Sequence, residues 1–193
     1  MKLDIILSGV GGQGILSIAT IIGAAAVKKG LHLKQAEVHG MSQRGGDVQS
    51  HLRISDKPIY SDLITKGAAD MIISVEPMES LRYLPYLKKD GWLVTNTKPY
   101  INIPNYPDIN EVLAEVKKFQ KHIAIDADKI ATDLGSTQIM NMVMIGAASE
   151  FLPFEFDDLL DAIKTVFSSK GEKIVEMNIN ALKAGRDFTK NYK

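Results

Sequence analysis

At 193 residues, with no cysteine and with 23 acidic and 23 basic side chains, the chain excludes several classes of protein at once. It can form no disulfide and offers no cysteine thiolate to an iron–sulfur cluster. Its zero formal charge leaves no electrostatic footprint for nucleic acid or a membrane surface, and is compatible with a place in an assembly. The length suits one domain that buries about 70% of the surface its unfolded form exposes.

The first apolar run, LDIILS from Leu3, has strand character and passes into the glycine loop Gly9 to Gly14. Gly9, Gly11 and Gly14 reproduce G-x-G-x-x-G between a strand and a helix, where the pattern means a tight turn and close backbone approach. A phosphate or carboxylate could rest on Gly12, Gln13 and Gly14 at the positive end of the following helix. The plainer alternative is that the glycines only permit a sharp turn. The helix runs to about Lys29 with Ile15, Ile18, Ala19, Ile22 and Ala26 on one stripe, and Gly30 closes it. Asp4 and the early glycines argue against a signal peptide, and Ile18 to Val27 is too short to span a bilayer, so the expected location is the cytoplasm.

A second strand, LHLKQAEVH, delivers His39, Gly40, Met41, Ser42, Gln43, Arg44, Gly45 and Gly46 to the carboxyl edge of the sheet, where open α/β sheets build their sites. The two glycine loops should therefore face each other. Glu37 is the only candidate for the acid that holds a ribose hydroxyl in dinucleotide-binding domains. For Arg44 the structural alternative is a salt bridge to Asp47, and for His39 a satisfied, partly buried imidazole. The next strand, DVQSHLRIS, turns Val48, Ser50, Leu52 and Ile54 one way and Gln49, His51 and Arg53 to a solvated face. After the turn SDKP, Ile59 and Tyr60 are expected as a return strand, giving an antiparallel portion.

MIISVE is a buried strand, followed by a helix that opens at Pro77 and is shortened at Pro85. Asp90-Gly91 then turns the chain into the strand WLVTNT. Glu76 and Asn96 sit at the carboxyl ends of these strands, either as caps and turn formers or as ligand contacts. KPYINIPNYPD, with Tyr100 and Tyr106, has no helical or strand period and serves as an interface loop or a plain crossover. A helix from Ile109 to Lys118, the strand HIAID and a short helix closed by Gly135 complete the alternation. Ser136 caps a helix that is apolar nearly all round and holds Asn141, a residue that needs polar partners. Two amphipathic helices follow, over residues 155–167 and after Gly171; the last could pack on this domain or on a partner. The expected fold is a single α/β domain over residues 1–193. It has three layers, α/β/α, around a mainly parallel, Rossmann-like sheet, with a helical C-terminal part.

The motifs GVGGQG, EVHGMSQRGGDVQSHLRI, ADMIISVEPMESLRYLPYLKKDGWLVTNTKP and NMVMIGAASEFLP together resemble the gamma-type domain of the 2-oxoacid:ferredoxin oxidoreductases, from Lys2 to about Gly185. The HGMSQRGG wording resembles most closely the branch of that family that acts on indolepyruvate. The resemblance implies an accessory subunit in a hetero-oligomer. A large alpha subunit would carry thiamine diphosphate, magnesium and iron–sulfur clusters. The complex would decarboxylate an aryl pyruvate oxidatively to an acyl-CoA, consuming coenzyme A and reducing ferredoxin.

This chain has no GDG segment for the thiamine magnesium, and its four histidines lack metal-ligand spacing. No catalytic residue and no metal ligand is assigned to it. Its expected work is to shape and close the partner's active site with its two glycine loops. Arg44→Ala is expected to lower complex activity more than it lowers the melting temperature of this subunit. The alternative is a stand-alone Rossmann-like oxidoreductase that binds NAD(P) or a flavin at the first loop.

Overall fold

The computed structural model describes residues 1–39 and 45–192. A six-stranded sheet divides two helical layers. It comprises β1 (Lys2–Val10), β2 (His32–His39), β3 (Asp47–Ser55), β4 (Ala69–Ser74), β5 (Leu87–Asn96) and β6 (His122–Ile125), in the order β2-β3-β1-β4-β5-β6. β1, β4, β5 and β6 are parallel neighbours, whereas β3 pairs antiparallel with both β1 and β2. The antiparallel portion is therefore built by β3, inserted between β1 and β2.

Alternation along β1 sets the two faces. Leu3, Ile5 and Leu7 point into the larger core, under the helices α1 (Ile15–Lys28), α5 (Met140–Ala148), α6 (Phe156–Phe167) and α7 (Glu172–Lys190). Ile6, with Ile72 and Leu93, points into a smaller core with Tyr83, at the end of α2 (Pro77–Arg82), and Val116 of α3 (Ile109–Val116). The short α4 (Ala127–Asp133) lies beside α5. Every residue of α5 is buried, as its all-round apolar sequence requires. The last helix packs on this domain. A Cβ on Gly146 of α5 would lie 2.0 Å from the Leu182 carbonyl oxygen, and one on Gly185 of α7 would lie 2.0 Å from that of Val143. Two glycines thus let the backbones of these helices touch.

Several expectations are corrected. β1 continues through Gly9 and Val10, because both still pair with β3, opposite Val48 and Asp47. Residues 59–60 form no strand. Instead the Arg53 guanidinium donates to the carbonyls of Ser61 (2.9 Å) and Leu63 (3.1 Å), so a side chain anchors this segment where a strand ladder was expected.

That anchoring removes the solvated face expected for His51 and Arg53. His51 is buried: its Nδ1 accepts the Ile64 amide at 3.0 Å and its ring meets the Tyr86 ring edge-on. Arg53 grips Asp4, only 1% exposed, through Nε at 2.8 Å and Nη2 at 3.2 Å. Asp90-Gly91 does not separate two elements. It lies within β5, where pairing with β4 slips between Ala69↔Leu87 and Met71↔Trp92, and turn chemistry appears as an irregularity in a continuous strand. The helix expected from Ser136 is divided, Ser136 capping a 3-10 turn (Thr137–Ile139) before α5 begins.

Candidate functional site

The carboxyl ends of β1, β2, β4 and β5 share one rim, and the first glycine loop is stretched over it. Gly9 has no room for a side chain, since a Cβ there would lie 2.4 Å from Val75 Cγ2. Gly12 and Gly14 have φ of 102° and 77°, a left-handed conformation in which glycine carries no Cβ penalty. Gln13 staples the loop from within. Its Oε1 accepts the Val10 amide at 2.8 Å, its Nε2 donates to the Val75 carbonyl at 3.4 Å, and its own amide turns back to the Val10 carbonyl at 3.1 Å.

The outward-facing groups are therefore those of Gly12 and Gly14 rather than Gln13. Gly14 is the N-cap of α1 with no side-chain cap, and the first turn of that helix holds no acid, so the positive end of the helix dipole is left to a visitor. From the far side Asn141 of α5 donates to the Gly14 carbonyl at 3.1 Å, while its Oδ1 is buried without a partner among the described residues.

Of the second glycine segment, Gly40, Met41, Ser42, Gln43 and Arg44 lie outside the described residues, and His39 is described only as the last residue of β2. Gly45 and Gly46 meet the first loop directly. The Gly11 amide donates to the Gly46 carbonyl at 2.8 Å, and the Gly45 amide faces the Gly11 carbonyl at 3.5 Å, extending the β1–β3 ladder into the loops. Asp47, weighed above as a partner for Arg44, accepts the Tyr83 hydroxyl at 2.9 Å. Burial, reinforced by that carboxylate, holds the Tyr83 phenol far above its usual pKa, so it stays a neutral donor.

Glu76 and Asn96 sit on the same rim, both buried. Glu76 Oε2 accepts the Glu79 amide at 2.9 Å and so caps α2; Oε1 accepts the Tyr100 amide at 3.2 Å and the Tyr106 hydroxyl. Asn96 donates to the Val75 carbonyl (3.2 Å) and Asp128 (2.7 Å) and accepts the Ala127 amide (3.1 Å). Next to them Glu79, bonded to Arg82 at 2.7 Å, has its pKa raised by burial against the lowering effect of that arginine. The tyrosine loop, residues 97–108, thus lies over the rim with Tyr100, Ile101 and Ile103 exposed. Nothing in local sequence marks Asn102 and Tyr106 as its anchors, or Tyr83 as the partner of Asp47; the sequence signal is a loop rich in tyrosine and proline beside a buried acid.

Two clefts flank the first loop. One, of about 360 Å³, is bounded by Gly11, Gly12, Gly14, Leu16 and Glu37. The other, of about 610 Å³, lies between Gly12, Lys98, Tyr100, Asp128, Gln138 and Asn141. Lys98 Nζ is 3.2 Å from Asp128 at its edge. Glu37 lines the first of these clefts but stands back from the loop's own strand. It pairs with Ser50, which pairs with Leu7, so it lies two residues below the level of Gly9 and two strand spacings, roughly 9.5 Å, from β1.

A family model described as pyruvate ferredoxin/flavodoxin oxidoreductase matches residues 4–188. The chain belongs to this family. A relative from Archaeoglobus fulgidus, indolepyruvate oxidoreductase subunit IorB, is 38% identical over 96% of this chain and 94% of its own length. The crystal structure of a keto/oxoacid ferredoxin oxidoreductase gamma subunit from Geobacter sulfurreducens superposes with a TM-score of 0.71 at 25% identity, covering 97% of this chain and 98% of that one. The same fold recurs in the 2-oxoglutarate:ferredoxin oxidoreductase of Magnetococcus marinus, a structure with 2-oxoglutarate, coenzyme A and succinyl-CoA bound. There the TM-score is 0.77 at 22% identity, and the match takes in all of this chain but 32% of that longer one. The fold expected from the sequence, one α/β domain with a mostly parallel sheet, is the fold of the Geobacter sulfurreducens gamma subunit. Among the described residues no helix is long and apolar enough to cross a membrane.

Proposed function

We propose that this chain is the accessory subunit of a thiamine diphosphate-dependent 2-oxoacid:ferredoxin oxidoreductase acting on indolepyruvate and similar aryl pyruvates in the cytoplasm. The observation that carries this is the nearly end-to-end match, at 38% identity, to a protein that is itself one subunit of an indolepyruvate oxidoreductase. A chain with no cysteine does not fit an iron–sulfur cluster. The clusters, thiamine diphosphate and magnesium are therefore assigned to a large alpha subunit, and ferredoxin meets the complex there.

The rim residues Gly9, Gly11, Gly12, Gln13, Gly14, Glu76 and Asn96, with the sequence segment His39–Gly46, are this chain's contribution: they border the partner's active site and take an anionic group such as a coenzyme A phosphate. The uncapped start of α1 and the open backbone at Gly12 and Gly14 support this role. No acid, base or nucleophile is drawn from this chain. The nearly full-length match to subunits of 2-oxoacid oxidoreductases weighs against the stand-alone NAD(P)- or flavin-binding alternative.

Co-expression with a large subunit that carries thiamine diphosphate and iron–sulfur clusters tests the proposal. A purified complex should reduce a viologen dye only when both indolepyruvate and coenzyme A are supplied, and this chain alone should not. A flavin spectrum or NAD(P)H turnover from the chain alone would overturn it. In the complex, Arg44→Ala should lower activity while leaving the subunit's melting temperature nearly unchanged.

A further inference from the structure

The Gly45–Asp47 turn is held at three points, and two of them trace back to one buried carboxylate. Below, the Gly11 amide bonds to Gly46. On one side the Tyr83 hydroxyl donates to Asp47. On the other the Asn102 side-chain amide donates to the Gly45 carbonyl. Tyr83 stands at the C-terminal end of α2, the helix that Glu76 caps through Oε2. Asn102 belongs to the loop that Glu76 holds through Oε1, at the Tyr100 amide and the Tyr106 hydroxyl.

Glu76 is fully buried, whereas Asn102 is exposed, and among the described residues its side chain bonds to Gly45 alone. A carboxylate in that position can accept from three donors at once and so ties a helix and a distant loop into one frame. We propose that Tyr83 and Asn102 are positioning residues for the Gly45–Asp47 turn, set by Glu76 at the base of the frame, and that the tyrosine loop is a strut for the second glycine segment as well as a crossover. The frame fixes Gly45–Asp47 against the first glycine loop, so these residues and that loop move as one unit. This deepens the subunit proposal above, but the strut is a property of the isolated chain and is tested there first.

Amide hydrogen exchange of the isolated chain is measured for the wild type, Asn102→Ala, Asn102→Asp and Tyr83→Phe. Asn102→Asp keeps the shape of the side chain and removes its donor. Loss of one hydrogen bond should speed exchange at the Gly11 and Gly45 amides, which bond across the contact, about fivefold in each variant, with α5 and α7 unchanged. Because Asn102 is exposed, its variants should keep the wild-type melting temperature, which separates a strut from a general fold contribution. Exchange at Gly11 and Gly45 unchanged in both Asn102 variants would overturn the proposal.

In the reconstituted complex the same variants should raise the KM for coenzyme A severalfold while kcat stays within about twofold, as expected when binding geometry and not chemistry is disturbed. Faster exchange with unaltered kinetics would confirm the strut and count instead against the placement of this rim beside the partner's active site.

Discussion

Asn141 and Gly14, 127 positions apart in the chain, are joined by a hydrogen bond of 3.1 Å from the Asn141 amide to the Gly14 carbonyl. A Cβ on Gly14 would lie 2.5 Å from that same nitrogen, and the residue has φ 77°. The buried helix α5 therefore sets the height of the glycine loop, and the loop leaves room for it by lacking a side chain. Gly14→Ala should destabilise the chain by about 2 kcal/mol, from the left-handed backbone and the displaced amide together. Asn141→Ala should cost about 1 kcal/mol through the lost bond. Chemical denaturation of the two variants and the double variant checks this. The double variant should be less destabilised than the sum, because removing Asn141 makes space for the new methyl group.

Gly146 and Gly185 make a harder case. At each the added Cβ would fall 2.0 Å from a backbone oxygen of the opposing helix, so no rotamer change relieves the clash. Gly146→Ala or Gly185→Ala should separate α5 from α7 and lower stability by about 3 kcal/mol or more, since overpacking costs of 1–3 kcal/mol assume neighbours able to shift. The measurement is the midpoint of guanidinium unfolding. A loss below about 0.5 kcal/mol, the usual size of a surface substitution, would show that the contact is not close.

Wherever the sequence is periodic, the fold can be read from it. β1, α1, β4, α6 and α7 carry their faces in the spacing of Leu, Ile and Ala, and the rim follows because strand direction places each loop. The failures all involve contacts made by distant residues. The alternation in β3 separates Leu52 and Ile54 from His51 and Arg53, but only the return of residues 61–64 over that face decides that His51 is buried and Arg53 largely covered. Strand order is equally hidden: nothing in LHLKQAEVH says that β3 will enter between it and β1. At the site the first glycine loop is legible from its composition; of the second, Gly45 and Gly46 are the glycines among the described residues. Glu76 was legible as a residue at a strand end. Its bonds to Tyr100 and Tyr106 were not, since they depend on how a loop without periodicity lies across the sheet.

The Arg53–Asp4 pair gives the largest single-charge prediction. Asp4 is almost wholly enclosed, and Arg53 contributes a two-pronged contact to it as well as the bonds to Ser61 and Leu63. Arg53→Ala leaves a buried carboxylate with only the Lys2 ammonium, 2.8 Å away and largely exposed, and should destabilise by about 3 kcal/mol. Arg53→Ala with Asp4→Asn should recover part of that loss, because no buried charge is then left alone. Thermal melts of the two single variants and the double variant test the coupling. Strict additivity would mean that the pair does not interact in solution.

His51 makes stability depend on pH in a definite direction. Its Nδ1 accepts the Ile64 amide, so the bonded form is the neutral ring; burial first and the nearby Arg53 charge second lower its pKa below the ordinary 6.5. A histidine with a lowered pKa in the fold binds fewer protons folded than unfolded. Its contribution is therefore fully present above pH 6.5 and is lost as pH falls from there toward the folded-state pKa. Protonation also breaks the bond to Ile64 and releases residues 61–64 from the sheet face. His51→Asn keeps an acceptor for that amide but does not titrate. Unfolding free energies measured from pH 7.5 down to about 5 should decline for the wild type and decline less for His51→Asn, carboxylate effects being shared by both. Parallel curves for the two proteins would show that His51 carries no proton linkage.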